Sequence, residues 1–173
     1  SAGRFRGNQR GSAAVEFALV APLFFALLFV IIETGMVFFA SQSLETALQD
    51  SARTIMTGEA QMADLTKQSF KTNIVCKNIS VLFDCENGIT VDVRSYPAGF
   101  GSVTISDPIS GEDFNNTKYI PGRPGDIVVV RLFYQWPLFV TGLGYNIANL
   151  SGGKRLLSAT AAFKNEPYPA STP

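Results

Sequence analysis

The sequence predicts an α+β chain: one long N-terminal helix, transmembrane at first and then amphipathic, packed on a small antiparallel β-sheet. Three observations predict it. Phe17–Ile32 (FALVAPLFFALLFVII) is sixteen residues without a charge, and MVFFA continues it to Ala40 after Glu33, Thr34 and Gly35. Beyond it, Leu44, Ala47, Leu48, Ala52, Ile55 and Met56 recur at helical spacing, one apolar stripe on a polar helix. Further on, three segments alternate apolar and polar residues as half-buried strands do.

The apolar run comes first. At about 1.5 Å per residue, residues 17–40 would extend roughly 36 Å, against about 30 Å of bilayer hydrocarbon. A cleaved signal peptide would have an apolar region of only about 7–15 residues. A core helix that is apolar all round would need a larger protein about it. Arg4, Arg6 and Arg10 precede the run with no acid before Glu16, whereas Glu45 and Asp50 precede Arg53 beyond it. The positive-inside rule therefore predicts a cytoplasmic N-terminus and a C-terminal domain carried across. The expected partition is a basic cytoplasmic leader at 1–11, the transmembrane helix and its outer extension at 12–57, and an extracytoplasmic α+β domain at 58–173.

Gly58 suits the end of the helix, as a residue free to take the left-handed conformation. A second helix is expected within Ala63–Val75. Strands are expected at Ile89–Ser95, Asp126–Trp136 and Leu156–Phe163, with the even face of the second (Val128, Val130, Leu132, Tyr134, Trp136) meeting Leu48, Ile55 and Met56. Tyr96–Gly125, rich in Gly, Pro, Asn, Asp and Ser, reads as a long loop with a short strand at Ser102–Ser106. Pro137–Val140 reads either as an exposed apolar patch for a partner or as core.

Composition narrows the function. Fourteen Lys and Arg balance fourteen Asp and Glu, so no net field attracts nucleic acid. There is no histidine, which removes the commonest general acid/base and metal ligand, and two cysteines cannot build a Cys-only zinc site. The chain reads as a non-enzyme, with no cofactor, no metal and no small-molecule substrate. Asp107, Glu112 and Asp113 read as solvated loop acids, because calcium-loop spacing is missing. Cys76 and Cys85, nine positions apart, predict a structural disulfide in an oxidising compartment. A redox pair is the alternative, although the spacing is not C-x-x-C.

Two acids and a proline stand out in the apolar run. Glu16 falls at its inner edge, and Glu33 follows seventeen residues later, roughly 25 Å along a helix. A carboxylate at mid-bilayer costs about 2.5–3.5 kcal/mol on insertion scales. Either these acids reach the headgroups, or each meets a partner within an assembly. Pro22 removes a helix hydrogen bond and predicts a kink.

Arg10-Gly11-Ser12-Ala13-Ala14-Val15-Glu16-Phe17, followed by ALVAPLFFALLFVIIETG, resembles the N-terminus of a type IV pilin-like precursor. More closely it resembles the TadE-like family of the bacterial tight-adherence (Flp, type IVc) pilus system. Ala21-Pro22, Glu33 and the late Asn165-Glu166-Pro167 fit the same pattern. The resemblance implies a pilin-like fold, cleavage between Gly11 and Ser12 by a prepilin peptidase, and Glu16 as fifth residue of the mature chain. It further implies that Glu16, and Glu33 with it, pair with neighbouring subunits in the membrane. On that reading the chain is a minor pseudopilin of the inner membrane, its domain periplasmic, working with other pilin-like subunits and a pilus assembly platform in cell adhesion. The runner-up is an uncleaved single-pass anchor carrying a binding module of the cell envelope.

Overall fold

The computed structural model describes residues 11–77, 79–105, 114, 116–140 and 145–169. Arg4, Arg6, Arg10, Ser106, Asp107, Glu112 and Asp113 lie outside the described residues. The fold is the expected α+β arrangement: a long N-terminal helix packed on a three-stranded antiparallel sheet.

Helix α1 runs unbroken over Ser12–Met56, 45 residues and about 68 Å, with Pro22 inside it. Apart from Ser12 and Glu16, its first turns are Ala, Val, Phe and Leu, which have no side-chain groups to compete for backbone hydrogen bonds. Further along, hydroxyls bond back one turn, Thr34 to Val30 O at 2.8 Å and Ser41 to Val37 O at 2.9 Å. Fully buried Ser51 bonds Ala47 O in the same way, so no hydroxyl is stranded in the core. The helix ends where expected. Gly58 takes φ 82°, and its N–H bonds Ile55 O at 3.0 Å. A side chain there would also strike the Tyr168 ring, since a Cβ would sit 2.3 Å from it.

The second helical region is broken rather than continuous. A single turn, α2 (Glu59–Met62), is followed by Asp64 at φ 47° and then by α3 (Lys67–Phe70), which runs into a π turn at Lys71–Val75. Thr66 supplies the restart, its hydroxyl accepting from Ser69 N–H at 3.2 Å. Cys76 and Cys85 are joined in a disulfide that closes the next turn.

The sheet comprises β1 (Ile89–Tyr96), β2 (Ile127–Pro137) and β3 (Lys154–Lys164) in that spatial order. Ile89 pairs with Tyr134, Val93 with Val130 and Val130 with Ala161, so even positions of β2 share one face with odd positions of its neighbours. That face meets α1: Val128, Val130, Leu132, Tyr134 and Trp136 join Leu44, Leu48 and Ile55 in one core, while Met56 stays at its edge. The expected short strand at Ser102–Ser106 does not form over its described part. Phe100–Ser102 is instead a 3₁₀ turn entered through Gly99 at φ 88°, and 103–105 are irregular. The loop's sheet contact comes later, where Val93 N–H bonds Lys118 O at 2.8 Å and Ile120 N–H bonds Val93 O at 2.9 Å.

Candidate functional site

From Ala13 to Ile32 no side chain of α1 is buried, and Phe17, Leu19 and Ile31 are each more than two-thirds exposed. Those twenty residues rise about 30 Å, the thickness of bilayer hydrocarbon. The most apolar stretch has none of its residues buried, so this is no core helix of the chain's own domain. Its apolar surface runs all round, where water offers no compensation. The helix is long and apolar enough to cross a membrane.

At Glu33 the environment changes. Glu33, Val37, Ala40, Leu44, Ala47, Leu48, Ser51, Ala52 and Ile55 are all buried, at the three- and four-residue steps of one helix face. The domain therefore covers the helix from Glu33 onward, seven positions before the expected end of the span at Ala40. Phe38 and Phe39 remain exposed on the opposite side.

The predicted site residues are distributed along this rod. Gly11 is the N-cap residue in right-handed helical conformation, and Ser12 opens the helix. Glu16 is exposed on the first turns, and Pro22 is exposed inside the helix. Glu33 is 7 % exposed and has partners within the chain. Its carboxylate accepts the N–H of Phe139 and, at 3.0 and 3.2 Å, the N–H of Val140, both in the connection from β2 to β3. One residue on, the Thr34 and Tyr145 hydroxyls are 2.9 Å apart. Intersubunit pairing by Glu33 would therefore compete with intramolecular bonds that no local pattern announces, because the partners are 106 and 107 positions away.

A second polar cluster escaped sequence reasoning. On the sheet face turned away from α1, Asp92 is 0 % exposed and Arg131 4 %. The Arg131 guanidinium donates to Asp92 Oδ2 from Nε at 3.0 Å and Nη2 at 2.7 Å, and Lys118 N–H donates to Oδ1 at 2.7 Å. Arg94 Nε adds a contact at 3.1 Å. Such a pair is stable only because its remaining hydrogen-bond positions are filled. The available signal was one cation in the apolar run IVVVRLFYQW and one acid in ITVDV, which fall opposite each other in register. The arrangement pins the long loop to the sheet, and Phe114 stacking on Phe133 at 5.6 Å adds to that hold.

The late Asn165-Glu166-Pro167 closes the domain. The Asn165 amide donates to Pro121 O and Arg123 O at 3.0 and 3.1 Å, and Glu166 N–H donates to Met56 O at 2.9 Å, tying the chain's last described segment to the end of α1.

No curated protein and no solved structure gives a significant match to the chain. Residues 11–53 match the family model described as TadE-like protein. The match starts at the N-cap Gly11, takes in Glu16, Pro22 and Glu33, and runs through the bare half of α1 and most of its packed half. Over residues 11–53 the helix on which the domain is built is similar to that of TadE-like proteins.

Proposed function

We propose that the chain is a minor pseudopilin of a bacterial tight-adherence (Flp, type IVc) pilus, a non-enzymatic assembly component. The observation that carries this is the unbroken α1: a TadE-like helix that is bare over Ala13–Ile32, apolar but for Glu16, and whose remainder is built into the domain. A bare apolar helix can be satisfied by lipid before assembly and by neighbouring helices afterwards. That interchange is what a subunit moving from membrane to fibre requires, because its outer domain need not unfold.

In this reading the basic residues before Gly11 hold the N-terminus in the cytoplasm and the domain lies in the periplasm, where the Cys76–Cys85 disulfide persists. A prepilin peptidase cuts between Gly11 and Ser12. The new amino group of Ser12 pairs with Glu16 of an adjacent subunit; a carboxylate and an ammonium, each costly alone in an apolar bundle, together set the axial stagger. Pro22 loosens the helix just beyond that pair.

The test is Glu16→Ala in the native envelope. Co-isolation with pilin-like subunits and the assembly platform should be lost, while membrane fractionation stays unchanged. Unaltered assembly would instead favour a permanently tethered binding module. Mass measurement of the native chain checks the cut, and a first residue other than Ser12 refutes it.

A further inference from the structure

The geometry points to a second membrane contact: the β2–β3 tip at Leu138–Val140, with Phe139 inserted into the outer-leaflet boundary beside α1. This rests on the reading that Ala13–Ile32 spans the bilayer.

Phe139 is 85 % exposed, whereas Leu138 and Val140 on either side of it are half-buried and Leu138 packs on the core. The tip is held at one height on the helix, because the N–H groups of Phe139 and Val140 donate to the Glu33 carboxylate and Tyr145 meets Thr34. Glu33 is the next residue after Ile32, the last of the bare span. The aromatic ring is thus fixed at the level where the bare stretch of α1 gives way to the packed one. Ile31 and Ile32 below it are exposed as well, and so are Phe38 and Phe39 above it, on the face of α1 turned away from the domain.

Backbone outside a helix is tolerated at membrane depth only where its polar groups are bonded within the protein. The two amides that flank the tip meet that condition through Glu33. The same bonds give the carboxylate partners where water is scarce. Each group removes the other's desolvation problem, and a lipid surface is the occupant that makes both necessary. Apolar residues beside a membrane span, on a rigid body, add to its hold by burying their area in the headgroup–acyl boundary.

The experiment uses the full chain in phosphatidylethanolamine–phosphatidylglycerol vesicles, with Cys76 and Cys85 oxidised. A nitroxide is placed on Phe139→Cys, on Leu23→Cys in the span, or on Thr72→Cys, which is exposed on the domain. Collisions with oxygen, which partitions into lipid, are compared with collisions with a water-soluble nickel chelate. Oxygen should dominate at positions 139 and 23, and nickel at 72. Adding Glu33→Ala should shift the 139 label toward nickel while 23 is unchanged. A 139 label that reports water while 23 reports lipid overturns the second contact and leaves the span standing. Labels at both 139 and 23 in water overturn the span and the contact with it. A 139 label shielded from both reagents means that protein covers the tip, which also overturns the proposal.

Discussion

Between Ala13 and Ile32, α1 is apolar on every side and supplies no residue to the core; between Glu33 and Ile55 the same helix lays one stripe, Val37, Ala40, Leu44, Ala47, Leu48 and Ile55, into that core. Each half carries one acid near its start. Glu16 is exposed, whereas Glu33 is buried and bonded to the backbone of a distant loop. The difference teaches that apolar content alone does not tell where a helix is buried. The packed half interleaves its stripe with Gln42, Glu45, Thr46, Gln49 and Asp50, so only one face can enter a protein core. The bare half has no polar face to present to water, and only lipid or other apolar helices can satisfy it.

The largest expected effect tests whether the domain has support that α1 does not provide. Asp92→Ala strands a buried guanidinium and should cost about 3–5 kcal/mol, read from urea unfolding by Trp136 fluorescence in detergent. A cost near zero would mean that the sheet face away from the helix contributes little. Leu48→Ala against Leu23→Ala then compares the halves directly. The first, fully buried, should cost about 2–5 kcal/mol, and the second should leave domain unfolding within about 0.5 kcal/mol. Equal effects would break the comparison. Next come the two acids. Glu33→Ala removes the acceptor for two amides and should cost about 1–3 kcal/mol, with faster hydrogen exchange at Phe139 and Val140. Glu16→Ala should leave both readings unchanged.

The smallest effect concerns pH and lies entirely in the domain. Burial pushes the Tyr119 hydroxyl up to about 12 from its ordinary 10, and no partner for that hydroxyl occurs among the described residues. Its proton is held longer in the folded state, so this contribution is intact below pH 10 and is lost as pH rises toward 12. Lys67 acts in the opposite sense. Burial lowers its pKa, with Asp92 opposing and Lys71 assisting, so its contribution to stability rises as pH climbs toward 10.5. Tyr119→Phe should therefore flatten the alkaline decline between pH 10 and 12 and leave stability at pH 7 nearly unchanged, because no hydrogen bond is removed.

The three strands were legible because an alternating run such as ITVDVRS has only one way to bury its apolar side, and every observed strand end falls within two residues of the expected one. The end of α1 was legible because Gly58 alone nearby can take the left-handed turn. The second helix was only half legible. Its break depends on Asp64 accepting an uncommon φ of 47°, a choice made by packing. Over 102–105, the described part of the expected Ser102–Ser106 strand, no strand forms, and the sheet edge beside β1 is taken by 118–120 instead.

The sequence by itself determined the rod, its bare and striped halves, the three strands and the cysteine spacing, since all of these follow from local periodicity and composition. Tertiary structure decided the depth at which the domain grips the rod, the buried Asp92–Arg131 pair, and the closure of Glu33 by the 139–140 amides. These contacts join residues tens to more than a hundred positions apart. Their energies come from desolvation and hydrogen-bond geometry, which exist only once distant segments have been brought together.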